Sequence, residues 1–293
     1  MAVEAVLNGF FPSGFRAEAP VAMTIGAPPA ETRSVTVPIG DARQLHAGAA
    51  TEAAFFEEHG FVLLDHTSAV REWEPDLKSP ATSDLAIHYF PEIEAVLRDR
   101  LLPGRRIDVG QGSFPLRRGR GTATPFYGEG VHQDFGLTPD DYQINVEAFA
   151  SPEAGKWWRA AYDRDDTLGY MMVDFWRTTN MAGPLKHMPL ALLDAGSVEM
   201  ADVVPTMLTG IAPGGKATSA LSLRFGPGQS WYFYPGMTGD EMLAFKIFEC
   251  WKEDAEPRLR TCFHTAFRDP GAPADAEERQ SCEHRVGVFF RRD

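Results

Sequence analysis

From Pro103-Gly104 onward the chain breaks into short β-prone runs separated by Gly/Pro turns: IDVGQGSF, YMMVDFWRTT, SLRFG, SWYFYP, CFHTAF and HRVGVFF. Strands this short and this numerous bury a core by closing into a barrel or stacking as a sandwich. Two stretches ahead of them have helical texture. In 41–60, alanines, Phe55, Phe56 and Glu57 run to a Gly stop, and 84–101 sets Ile87, Phe90, Ile93, Val96 and Leu97 on one face. FVLLDH (61–66) lies between them and reads as a strand. The expected fold is mainly β with flanking helices (α+β), a jelly-roll or related double-stranded barrel. Residues 1–35, rich in Ala, Pro and Gly, read as an extended surface arm. Residues 136–168, carrying Trp157 and Trp158, read as a helical insertion or lid, and 239–253 has partly helical spacing. No repeat or low-complexity linker divides the chain. We therefore expect one domain over 1–293, with arm and helices in 1–105 and barrel core in 106–293.

A chain of 293 residues can bury a core without disulfide staples. Its net charge of −13 argues against wrapping nucleic acid, which is gripped by Lys and Arg. Cys250, Cys262 and Cys282 lack the paired spacing of a zinc site or disulfide framework, so buried thiols in a reducing compartment are expected. No run approaches the ~20 apolar residues of a membrane span. Glu4 stands where a secretory leader wants positive charge. The expectation is a cytoplasmic protein with a small-molecule partner, as monomer or homodimer.

Most of the eight histidines have no carboxylate at ligand spacing, but His132-Gln133-Asp134 does. On an extended segment, positions i and i+2 face the same side, so an imidazole and a carboxylate can take one face of a metal ion. The pair alone is a common chance occurrence. His264, in the run CFHTAF, offers a third ligand. Two histidines and a carboxylate form the facial triad of non-haem Fe(II) oxygenases, with positions left open for cosubstrate and O2. Past the Pro/Gly-rich turn DPGAPADAEE comes Arg279-Gln280-Ser281, on a strand expected to return antiparallel beside that of His264. A guanidinium and a hydroxyl there suit the distal carboxylate of 2-oxoglutarate.

The stretches VHQDF (131–135), DFWR (174–177), PLKHMPLALLDAGSV (184–198), SWYFYPGMTGDEMLAFK (230–246), HTAFRDP (264–270) and RQS (279–281) carry a resemblance. In this order they are similar to the Fe(II)/2-oxoglutarate-dependent oxygenase family that includes the actinobacterial cephem methoxylase, a fungal gibberellin desaturase and fungal meroterpenoid endoperoxidases. The resemblance spans about half the chain. It implies a double-stranded β-helix (cupin-like) fold and consumption of 2-oxoglutarate and O2. His132, Asp134 and His264 are then Fe(II) ligands, and Arg279 with Ser281 is the cosubstrate clamp. The implied reaction is oxidation of a C–H bond of a small secondary metabolite by hydroxylation, desaturation, cyclisation or endoperoxidation. Thr178 follows Trp176-Arg177 where Pro is usual, and Asp174 stands where many members have Asn. These departures bear on the substrate more than on the iron.

Arg177 reads equally as a second anionic contact for cosubstrate or substrate and as a salt-bridged arginine. The aromatic cluster Trp231–Tyr234 reads first as core. Two other classes use the same residues. One is a zinc-dependent hydrolase on a cupin-like barrel, because His/His/Asp also suits Zn(II). The other is a non-catalytic ligand-binding barrel.

Overall fold

The computed structural model describes residues 2–74, 80–111 and 115–293. The chain opens with β1 (Val3–Phe10), β2 (Val21–Thr24) and β3 (Arg33–Asp41), then α1 (Ala42–His46), α2 (Glu52–His59) and β4 (Phe61–Asp65). A helical stretch follows, α3 (Phe90–Ala95) with a π-helical turn at each end, and then β5 (Ile107–Gln111) and β6 (Leu116–Arg118). The helices α4 (Pro139–Phe149) and α5 (Pro152–Asp163) precede β7 (Thr167–Thr178), β8 (Leu190–Leu193), β9 (Val203–Thr209) and β10 (Thr218–Leu223). The chain closes with β11 (Trp231–Phe233), β12 (Glu241–Trp251), β13 (His264–Ala266) and β14 (Ser281–Arg291).

Two strand systems form the jelly roll. One sheet runs β4-β12-β7-β14-β5, with β6 also on β14. The other runs β1-β3-β11-β8-β13, and a three-stranded sheet β10-β9-β2 continues it through the segment before α4, since His132 bridges His264 and Gln133 bridges Leu221. The candidate ligand segment is thus the seam between two sheets. In β7 and β14, alternate residues face the barrel interior, while the others pack outward, as His284 does against Tyr89 and Phe90 of the helical layer. Trp231, Phe233 and Tyr234 are buried, as the core reading expected.

Several local expectations differ from the structure. Residues 1–35 are not a surface arm. Ala5, Leu7 and Phe10 are buried from β1, which pairs antiparallel with β3. Its Asn8 carbonyl accepts the Val131 N–H (2.7 Å), so this terminus holds the seam. Gly9, at φ 92°, sits where the register shifts, and a Cβ there would press on the Val131 backbone. The 41–60 helix is two helices, because the Thr51 hydroxyl starts a new one by accepting from the Ala54 N–H. The 239–253 stretch is the strand β12. It is buried on both faces, so its apolar run masks strand alternation. Gly112–Phe114 of the IDVGQGSF run lie outside the described residues.

Residues 136–168 form a helical pair tied to both sheets. Asn145 exchanges two hydrogen bonds with the Ser219 backbone on β10. Tyr142 and Trp158 pack on Tyr170, which faces inward from β7, and Tyr142 also packs on Phe248 of β12. Their burial makes this pair a wall of the barrel. Gly287 of β14 faces the same cluster, and a Cβ there would fall inside the contact radius of the Tyr170 hydroxyl. Gly287→Ala is expected to destabilise the fold by about 1–3 kcal/mol. A chemical denaturation midpoint equal to that of the unaltered protein would refute this packing.

Candidate metal centre

His132 and His264 are direct cross-strand partners. Each backbone N–H donates to the other residue's carbonyl, at 3.2 and 2.9 Å, so the two side chains emerge side by side with ring centroids 4.5 Å apart. Asp134, two residues on, faces the same way. One ligand atom from each of the three lies within 4.8 Å of the others. His132 Nδ1 is 2.7 Å from the Gly130 carbonyl and His264 Nδ1 is 3.2 Å from that of Cys262. A carbonyl can only accept, so both Nδ1 atoms carry the proton and both Nε2 lone pairs are free for a metal.

Gln133 points the opposite way and is fully buried. Its Nε2 donates to the Ile247 carbonyl and the Thr261 hydroxyl, and its Oε1 accepts the Asp134 N–H at 3.0 Å. Ile247 lies in the β12 bulge, between the shifted pairs. The middle residue of the motif therefore anchors the backbone that carries both ligands.

Electrostatics suit a cation. Burial and then the neighbouring His132 push His264 down to about 4, which leaves a neutral imidazole at neutral pH. Burial alone would raise the Asp134 carboxyl; the guanidinium of Arg285 and the imidazole of His132 outweigh it and hold Asp134 well below the usual range. Burial lowers His132 in turn, but the Asp134 carboxylate wins and raises it. A carboxylate and two Nε2 donors on one face form a donor set that fits Fe(II).

Further along the interior, the seat expected for a carboxylate has the matching donors. Arg279 is buried, with its guanidinium carbon 4.1 Å from the Tyr127 ring centroid and 5.5 Å from that of Trp176. Tyr127 also donates its hydroxyl to the Arg279 carbonyl at 2.8 Å, and Arg279 Nη1 donates to Met188, a non-glycine residue at φ 52°. Burial pushes Arg279 down to about 10. Arg279 Nε, Ser281 Oγ and Thr178 Oγ1 are buried and have no protein partner. Ser281 and Thr178 are cross-strand neighbours. An uncompensated cation beside two unpaired hydroxyls is the signature of a seat for an anion.

Two expectations change. β14 lies across the barrel from β13 rather than beside it, since β13 pairs β8 and β14 pairs β7, β5 and β6. The turn after His264 crosses between sheets, and Arg279 lies beside Trp176 of β7. Arg177 is turned away from Ser281 and Thr178. Its neighbours Trp176 and Thr178 face inward, so it faces out, donating to the carbonyls of His66 and Gly239 and stacking 5.2 Å from Trp73. Sequence reading missed Tyr127, and it missed that Arg118, Glu283, Arg285 and Asp174 form one chain of charges. Arg118 grips Glu283 with two hydrogen bonds of 3.1 Å. Burial and then Glu283 raise the Asp174 carboxyl well above its ordinary range.

A family model described as an oxidoreductase/YMDC permease-like domain (YDMC) matches residues 16–289. Among the described residues, no helix is long and apolar enough to cross a membrane. The chain is similar to aspirochlorine biosynthesis protein N of Aspergillus oryzae, 32% identical over 119 residues, covering 41% of this chain and 48% of that protein. It is also similar to the hydroxylase/desaturase asaB of Aspergillus flavus, 33% identical over 130 residues (39% and 56% covered). The chain spans about half the length of the curated relatives it matches. Its fold is that of the iron and alpha-ketoglutarate-dependent endoperoxidase NvfI. A tryptophan-to-phenylalanine variant of that protein superposes with a TM-score of 0.72 at 19% identity, over 99% of this chain and 98% of the other.

Proposed function

The chain belongs to the oxidoreductase/YMDC permease-like domain family, and from the geometry of its site we propose that it is a single-domain Fe(II)- and 2-oxoglutarate-dependent oxygenase. It oxidises a C–H bond of a small secondary metabolite in the cytoplasm. The observation that carries this reading is the pairing of a triad with unpartnered buried donors. His132, Asp134 and His264 converge within 4.8 Å, and Arg279 Nε, Ser281 Oγ and Thr178 Oγ1 are buried without partners. The names of the relatives, hydroxylase/desaturases and a biosynthesis protein, support a small-molecule substrate.

In this proposal His132 Nε2, His264 Nε2 and one oxygen of Asp134 hold the iron. When bound, Fe(II) supplies the activation of O2 that is coupled to 2-oxoglutarate decarboxylation and substrate oxidation. The protein fixes geometry and excludes water. Carbonyls of Gly130 and Cys262 fix the imidazole tautomers, and Gln133 fixes the segment. Arg279, Ser281 and Thr178 receive the distal carboxylate, and Tyr127 with Trp176 keeps the guanidinium in place. Hydroxylation, desaturation, ring formation and endoperoxidation share this machinery.

The test is anaerobic titration of Fe(II)-loaded protein with 2-oxoglutarate. A weak visible charge-transfer band that saturates at one cosubstrate per chain is expected. Absence of the band in protein that retains iron would overturn the cosubstrate assignment and favour a hydrolytic metal centre.

A further inference from the structure

Asp134 turns its two carboxylate oxygens to different partners. Oδ1 lies 3.4 Å from His132 Nε2, on the side where the candidate ligand atoms converge. Oδ2 lies 3.0 Å from Arg285 Nη2. Arg285 reaches it from β14, on the sheet across the interior, and other acids brace the guanidinium. Its Nε is 3.8 Å from Asp174 Oδ2 on β7, and its Nη2 is 3.4 Å from Glu283 Oε1 on β14. Glu283 is itself gripped by Arg118 of β6. Gln133 already pins the Asp134 backbone, so the freedom left to this residue is rotation of its carboxylate.

We propose that Arg285 is a positioning residue that engages Asp134 Oδ2 and leaves only Oδ1 for the metal. The proposal rests on the metal-centre reading above. An unrestrained carboxylate beside a divalent cation binds through one oxygen or both. A two-oxygen grip would consume a coordination position that the facial triad keeps open for cosubstrate and O2. An ion pair to Oδ2 at 3.0 Å, from a guanidinium that also lies 3.4 Å from Glu283 and 3.8 Å from Asp174, opposes that grip. Arg285 is half-buried, with a third of its side chain solvent-accessible. The same guanidinium could instead contact the cosubstrate directly, and the test separates the two roles.

The experiment loads the full chain with Mn(II) and measures water-proton relaxivity without 2-oxoglutarate. Wild type is expected to show the relaxivity of a metal with three open positions. In R285Q, two-oxygen binding by Asp134 displaces one of three waters, so relaxivity falls by about one third; R285K keeps a cation near Oδ2 and recovers it. If R285Q does not fold, R285M takes its place, with the stem kept and the donors removed. Wild-type relaxivity in R285Q, with a raised 2-oxoglutarate requirement, would overturn the proposal and make Arg285 a cosubstrate contact. Wild type that binds no Mn(II) would instead sink the metal-centre reading itself.

Discussion

Succinate formation from 2-oxoglutarate falls to the background rate when His264 is replaced by Ala, and iron content falls with it. The expectation follows from how the ligand is built. His264 is a direct cross-strand partner of His132, its Nδ1 is committed to the Cys262 carbonyl, and Nε2 is the atom that remains. Residues that merely support a metal ligand cost about 10- to 100-fold when removed, so loss of the ligand itself should exceed that range. His264 is also buried, with its ring 4.9 Å from that of Phe245, so its removal opens a cavity and some stability is lost as well. Anaerobic metal analysis on folded His264→Ala protein separates the two effects. His132→Ala should behave alike, with less cost to folding because its side chain is 37% exposed. Undiminished, iron-dependent succinate release by either variant would end the ligand assignment.

How far this site could be read in the sequence depended on whether its parts are local. His132 and Asp134 were legible because i and i+2 share a side on extended backbone whatever the sheet does with it. Arg279 and Ser281 were legible by the same parity and by their chemistry. Parity also bears on the two readings left open for Arg177: in strand β7 it lies next to Trp176 and Thr178, so if they face the interior it cannot. What stayed hidden depends on crossings. Arg285 meets Asp134 only because β14 lies over the seam between sheets, a pairing that no short window contains. Tyr127 lies in no helix or strand, and only the fold brings its ring under Arg279. The first strand was concealed by composition: Ala, Pro and Gly outweighed the alternation of Ala5 and Leu7, yet that strand holds Val131, next to the first ligand. β12 was hidden for the opposite reason, since a strand buried on both faces has no polar side to alternate with.

Replacing Arg279 is expected to raise the 2-oxoglutarate requirement without loosening the iron. A charge-assisted hydrogen bond of a buried carboxylate is worth about 1.5–3 kcal/mol, so Arg279→Ala should raise the half-saturating concentration roughly 10- to 150-fold. Arg279→Lys should recover only part, because an ammonium keeps the charge but lacks the planar two-pronged fork. The sign of the stability effect distinguishes a binding residue from a structural one. Among the described residues Arg279 has no carboxylate partner, and burial lowers it from its ordinary value to about 10. A base whose value is depressed on folding costs stability while it is charged, that is, throughout the neutral range, and the cost is relieved only as pH rises through the folded value. Arg279→Met keeps the apolar stem against Tyr127 and Trp176 and removes that charge. It should therefore melt at or above the wild-type temperature in the absence of cosubstrate, yet gain nothing when 2-oxoglutarate is added. A structural arginine would give the opposite pattern, a lower melting temperature with the 2-oxoglutarate-induced rise intact, and thermal melts with and without cosubstrate read both quantities at once.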